Sequence, residues 1–318
     1  MIGKESIDLG LENIYESWFA YRKGKKPSSD LDYFQYNLEG ELHALHTDLS
    51  NGVYKHGRYR KFIVTDNKTR EISVASVRDR VVHRLFYDYL VEIFDGTFML
   101  DAWSCRRNKG LVGAINRAQS FIGKYANGFV WRADIRKFFD NVDHGVLLQL
   151  LKRKIQDEKT LFLLKEIIDS FEVKKGVGMP IGNLTSQIFS NIYLNELDRF
   201  IKHKMKCKSH LRYGDDFVIF SRDKEKLLRI KAQITDFIEN ELKLNLHSTN
   251  NLIVETKYGL KFLGVVLYPN GRKLSKRNQI RIKDRVNLRN SGSYWGVISK
   301  HGTDEKVKAF QWDLVDLL

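Results

Sequence analysis

Cysteine is nearly absent. Only Cys105 and Cys207 occur in 318 residues, without CxxC spacing, which speaks against a disulfide framework and against a zinc site. A reducing cytosol fits that usage. Proline is as scarce, with three residues, and no Pro-rich or Gly/Ser-rich stretch reads as a linker. No internal repeat of fixed period is present. No apolar run approaches the roughly 18 residues of a membrane span. The N-terminal MIGKESIDLGLENIYESW carries acids early and lacks an apolar stretch, unlike a signal peptide. The expected location is cytoplasmic, away from membranes.

What the chain does have is a large apolar fraction and a strong positive charge. Hydrophobic residues make up 42%, enough for a sizeable core and too many for wholesale disorder. Lys and Arg total 54 against 39 Asp and Glu, a formal charge of +15, with a pI near 9.6. Such a surface attracts polyanions through release of their counterions, and the pI passes the level of about 9 that marks nucleic-acid binders.

Periodicity predicts helices at 5–22 and 31–50, separated by the basic polar loop KGKKPSSD. In the second, Leu31, Phe34, Leu38, Leu42, Leu45 and Leu49 share one face. Short strands are expected at 59–65 and 71–75 around the turn-rich DNKT, then a helix over 78–95. Phe129–Ile135 alternates: Phe129, Trp131, Ala133 and Ile135 point one way, Val130, Arg132 and Asp134 the other. Helices follow at 144–156, 158–171, 184–205 and 224–242, with a hairpin at 210–220 and a strand pair near 251–268. The tail is strongly basic from Lys273 to Arg289. Strands and helices mix without regular βαβ alternation, which makes the class α+β.

The chemistry concentrates in HLRYGDDFVIF, residues 210–220. Gly214-Asp215 suits a type II′ hairpin turn between two apolar strands, which puts Asp215 and Asp216 at the tip of a rigid ribbon. Adjacent carboxylates repel unless a cation neutralises them. Asp134, an acid in an aromatic-rich strand, is costly to place there unless it binds something. If its strand lies beside the hairpin, three carboxylates converge. Hard oxygen ligands suit Mg²⁺, which also takes phosphate oxygens from a substrate. Two ions about 3.5–4 Å apart would serve nucleotidyl transfer, acting on a primer 3′-hydroxyl and on departing pyrophosphate.

Tyr213-Gly214-Asp215-Asp216 resembles the YxDD box of reverse transcriptases. Asp134, with Phe139 five residues later, resembles their first catalytic motif. The resemblance covers about residues 10–300 and implies a right-hand polymerase: an N-terminal helical extension (1–50), fingers with the start of the palm (51–125), palm (126–270, with a fingers-like insertion around 145–180) and a short helical thumb (271–318). It implies two Mg²⁺ ions, with Mn²⁺ as an alternative, at Asp134, Ile135, Asp215 and Asp216. Phe139 would exclude ribonucleotides, so the product would be DNA. KTREISVASVRDRVVHR resembles the fingers, with Lys68 and Arg70 gripping the incoming triphosphate. DAWSCRRNKG resembles the template-contacting segment with Arg106 and Arg107. GLKFLGVVL resembles the hairpin that grips the primer end, and Lys276, Arg277 and Arg281 fall on an expected thumb helix along the duplex.

Within the family, Ile181-Gly182 followed by Ser186-Gln187 in GMPIGNLTSQ resembles the variant of diversity-generating retroelements. Ile181, Gly182, Gln187 and Tyr213 would then contact the incoming nucleotide. The partners implied are template RNA, cDNA, dNTPs and a small basic accessory protein that is itself oligomeric, in a bacterial or phage-encoded system. An antiphage-defence, retron-like or intron-derived enzyme shares the chemistry with another RNA, while a non-catalytic RNA-binding protein would not need clustered acids. One departure stands out. Where reverse transcriptases usually carry a lysine after the hairpin, this chain has Asn250, which cannot donate a proton; either Lys243 or Lys257 substitutes, or the step relies on metal and water.

Overall fold

The computed structural model describes residues 6–65, 69–302 and 304–315. The chain opens with three helices, α1 (Leu11–Arg22), α2 (Ser29–Tyr36) and α3 (Leu38–Ser50). The helix expected over 31–50 is thus two. Asn37 has φ −100° and ψ 23°, and its amide bonds the Tyr33 carbonyl at 3.0 Å, the local competition with helical bonding that asparagine offers. An exposed ribbon follows, β1 (Arg60–Thr65) and β2 (Thr69–Val74), then α4 (Val77–Phe94). Ser76 caps α4 by accepting from the Asp79 amide, the usual device for an orphan N-terminal N–H.

Helix α5 (Leu111–Lys124) was not anticipated. Ala114, Ile115, Ala118, Phe121 and Ile122 form its buried face. After it come β3 (Phe129–Ile135), the single turn α6 (Phe138–Asn141), α7 (His144–Lys152), α8 (Glu158–Asp169) and α9 (Leu184–Arg199). A wider helical turn, 200–204, closes the expected 184–205 helix. Then come the hairpin β4 (His210–Tyr213) and β5 (Asp216–Ser221), α10 (Lys224–Asn240) and β6 (Leu246–Glu255). The end of the chain holds β7 (Leu260–Phe262), β8 (Val265–Tyr268), β9 (Gly271–Leu274), α11 (Lys276–Arg285), α12 (Ser291–His301) and α13 (Asp304–Val315).

The central sheet is antiparallel with strand order β4-β5-β3-β6. The expected strand pair near 251–268 is corrected here: β6 joins β3 in this sheet, whereas β7 and β8 belong to a separate three-stranded sheet with β9. Both faces of the central sheet are covered. Trp131, Ala133, Ile135, Phe217 and Ile219 enter one core with α1, α3, α4, α9 and α10. Val130, Val218 and Phe220 enter a second core with α5, β7–β9 and the last helices. The acid-bearing face is the second one, and the acids sit where its apolar contacts run out.

Candidate active site

Asp134 and Asp216 are directly opposed across β3 and β5. Antiparallel partners put their Cβ atoms about 4.5–5.5 Å apart on one face, so the two carboxylates share a pocket edge. The amide of Ile135 donates to the Asp215 carbonyl at 3.2 Å, fastening the turn between β4 and β5 to the end of β3. Gly214 has φ +65°, and Asp215 is not among the positive-φ residues. That sign pattern fits the II′ turn and needs glycine at the first position. Ile135 keeps its side chain in the core, so only its backbone could serve a cation.

The carboxylates do not share one environment. Arg132 donates to Asp216 through Nε (3.2 Å) and Nη2 (2.9 Å). Burial nevertheless pushes the Asp216 carboxyl up to about 6, against the pull of Arg132 and with further upward pressure from Asp134 and Asp215. Asp134 accepts from the Asn250 amide at 3.4 Å. That contact exists because β6 breaks register: Ala133 pairs with Asn251 but Ile135 with Leu246, so residues 247–250 bulge opposite Asp134. His247 Nδ1 accepts from the backbone N–H of Thr249 and Asn250 and shapes the bulge.

Among the described residues, no three acidic, histidine or cysteine side chains form a preassembled coordination sphere. The donor set still fits magnesium. That ion is held by one or two carboxylates plus waters and substrate phosphates rather than by an all-protein cage, and a buried carboxylate raised to about 6 gains from a cation nearby.

Around the acids, Phe139 is half-buried, edge-on to Phe138, and its carbonyl accepts from the Met179 amide at 2.7 Å. The Ile181 carbonyl accepts from the Ser73 amide at 3.2 Å, and the Asn183 amide donates to the Ser73 carbonyl at 3.0 Å. The 181–183 segment is therefore clasped to β2, whose Arg70 is exposed. Gly182 has φ +106°, and a Cβ there would lie 2.9 Å from Ile72 Cγ2, so glycine is required at this close approach. Gln187 is exposed one turn into α9, and Tyr213 packs against the second core. Lys68 lies outside the described residues.

Arg106 faces inward. Its guanidinium binds Asp95 Oδ1 (2.8 Å) and the carbonyls of Met99, Ala102 and Asp95, and its side chain is 10% exposed. With its donors turned inward it braces the 95–106 loop, whereas the neighbouring Arg107 is 68% exposed. Lys276 and Arg277 are exposed on α11, and Arg281 is half-buried. Lys243 pairs with Asp143 at 2.8 Å and Lys257 with Glu255 at 2.7 Å, so neither substitute is presented to the acid pocket by its present partners.

Sequence reasoning gave no role to the brace beneath the hairpin. Arg212 and Asp198 are both fully buried and joined at 2.7 Å. Arg212 also donates to the Gly214 carbonyl (3.0 Å) and to Asn191 Oδ1 (3.3 Å), while His210 Nε2 lies 3.2 Å from Asp198. Burial pushes the Asp198 carboxyl up, but Arg212 and His210 outweigh it and hold it down at about 2. An arginine between Leu211 and Tyr213, with an aspartate inside a long apolar helix, was the visible signal.

An antiparallel sheet with helices over both faces, and acids paired at strand end and turn, defines the palm of a right-hand polymerase. The reverse transcriptase (RNA-dependent DNA polymerase) family profile matches residues 54–267, and the chain belongs to that family. Relatives include protein YkfC of Escherichia coli (strain K12), 24% identical over 295 residues, 79% of this chain and 77% of that protein. Another is the group II intron-encoded protein LtrA of Lactococcus lactis subsp. cremoris, 24% identical over 327 residues, 80% of this chain and 54% of LtrA. In fold, the chain is similar to apo telomerase from Candida tropicalis truncated from its C-terminal domain. The TM-score is 0.52 at 12% identity, over 69% of this chain and 55% of the other. The chain thus spans only about half the length of LtrA and of that telomerase chain. Among the described residues no helix is long and apolar enough to cross a membrane.

Proposed function

We propose that this chain copies a template RNA into cDNA by metal-assisted nucleotidyl transfer at Asp134, Asp215 and Asp216. The observation that carries the reading is the cross-strand pairing of Asp134 with Asp216 beside the glycine turn bearing Asp215. In the reaction the primer 3′ oxygen bonds to the α-phosphorus of a dNTP and the bond to pyrophosphate breaks. Bound divalent ions, Mg²⁺ by preference and Mn²⁺ as substitute, would supply charge neutralisation at the attacking and leaving oxygens. The protein's share is positional. Asp134 and Asp216 present oxygens from a rigid sheet, and the turn holds Asp215 beside them. Phe139 would lie under the sugar, Arg70 would meet the triphosphate, and Ile181, Gly182, Gln187 and Tyr213 would bound the nucleotide. The proton donor to pyrophosphate is unassigned, since Asn250 occupies the usual place.

The chain would divide into N-terminal extension (1–50), fingers (51–125), palm (126–270) and thumb (271–318), with Arg107, Lys276, Arg277 and Arg281 along the nucleic acid. It would serve a diversity-generating retroelement that uses a small basic accessory protein in a bacterial or phage-infected cytoplasm. Support for that assignment is Ile181 itself. An apolar side chain beside the nucleotide offers shape without a hydrogen bond, which weakens discrimination. Kinship with LtrA favours an intron-like enzyme as the second reading, with the same chemistry.

Primer extension on RNA with single dNTPs tests both levels. Template-dependent extension with frequent errors opposite adenine is expected, and Ile181→Gln should lower those errors. Absence of extension, with and without the neighbouring small basic protein co-expressed, refutes the enzyme reading. Unchanged errors in Ile181→Gln refute the fidelity reading alone.

A further inference from the structure

One cation in the acid pocket has no part in the chemistry above. Arg132 precedes Asp134 by two residues on β3, so the two share a face. Its register partner on β5 is Val218, and its guanidinium reaches along the sheet to Asp216. Nε lies 3.2 Å from Oδ1 and Nη2 2.9 Å from Oδ2, a two-pronged grip. The remaining nitrogen, Nη1, donates to the Lys261 carbonyl at 2.7 Å. Lys261 belongs to β7, in a different sheet from β3 and β5. The side chains of Arg132 and Asp216 are 28% and 17% exposed, so water screens this pair less than a surface pair.

We propose that Arg132 is a positioning residue that fixes the plane of the Asp216 carboxylate for cation binding and ties the β7–β8 hairpin to the acid site. The proposal rests on the reading that Asp216 helps to hold metal. A carboxylate has about four lone-pair sites. The fork uses one on each oxygen and leaves the others for a cation, so pairing with Arg132 and binding of metal are compatible. The third contact adds nothing to charge balance. It makes Arg132 a strut between two sheets, so that a shift of the 259–267 hairpin turns the carboxylate. Lysine cannot replace it, because an ammonium cannot hold two oxygens in one plane and a distant carbonyl at once.

The test uses the full chain as wild type, Arg132→Lys and Arg132→Met, each followed by thermal unfolding without divalent ions and across a Mg²⁺ titration. Primer extension runs in parallel. Both variants are expected to raise the Mg²⁺ concentration that gives half the thermal shift by roughly tenfold or more, the usual effect of losing a ligand's supporting partner. Each should lower kcat similarly while the KM for dNTP stays within about twofold. A wild-type Mg²⁺ titration and kcat in Arg132→Lys would overturn the proposal in favour of charge balance. A lower melting temperature with an unmoved Mg²⁺ titration would overturn it in favour of a structural role. Should the wild-type chain itself show neither a Mg²⁺ shift nor extension, the metal reading falls first and takes this one with it.

Discussion

At Asp216 burial and charge pull against each other. Burial and two neighbouring acids raise its carboxyl to about 6 from an ordinary 3.8, although Arg132 opposes them. A raised acid favours the folded state when protonated, so this contribution is complete below about pH 4 and lost as pH climbs through about 6. At neutral pH without metal the ionised group costs on the order of 2–3 kcal/mol. On acidification from about pH 7.5 to 5.5, metal-free wild type should therefore gain stability relative to Asp216→Asn, with whatever buried His83 and His301 subtract being common to both. Thermal unfolding against pH measures the difference, and parallel curves would contradict the assignment. Phe139 makes a second prediction. Its truncation in Phe139→Ala should improve ribonucleotide use by about tenfold or more relative to deoxyribonucleotide, measured as a ratio of kcat/KM. At this scale the sequence was uneven. Asp134 and Asp216 stood out as acids on apolar strands, and Asp215 as an acid beside a hairpin glycine. Arg106 and Arg107 looked alike, because the partner that turns Arg106 inward, Asp95, is brought to it only by the fold.

The acid hairpin is a short element with a deep anchor. Arg212 reaches from β4 back to Asp198 on α9 and forward to the Gly214 carbonyl, so the turn is held from beneath as well as by its strands. Breaking a buried pair from one side strands a charge, which costs about 3–5 kcal/mol. Asp198→Asn should lose stability on that scale in urea unfolding, far more than Arg153→Ala, whose pair with Glu196 is exposed. Equal losses would show that the brace is ordinary. Periodicity revealed α4, β3, α9 and the 210–220 hairpin because their apolar spacing is strong. It missed the start of β6, LHSTNN, which is poor in strand formers, and the strand's partner, because β6 is held by pairing with β3 across more than a hundred residues. Helix α5 had a legible face, but it begins just after a Gly-containing basic loop without a side-chain cap, so nothing local announced its start.

For the molecule as a whole, the excess of basic residues sets how it meets nucleic acid. The logarithm of RNA affinity should fall linearly with the logarithm of salt concentration. Removing one phosphate contact, as in Lys276→Ala, should weaken binding across RNA sequences and lower that slope by about one. A slope unchanged by the substitution would take α11 out of the interface. Sequence gave the α+β class and a central acid pocket, because both follow from residue order along the strands. It did not give the two-sided burial of the sheet, since strand pairing decides which core each face meets. In the proposed mechanism the opposed acids hold the metal on which copying depends. RNA-templated primer extension across a Mg²⁺ titration, in wild type and Asp134→Asn, tests it most directly. Wild type should extend in a Mg²⁺-dependent way and the variant should lose about a thousandfold or more; extension by Asp134→Asn at the wild-type rate would rule out metal-assisted copying at these acids.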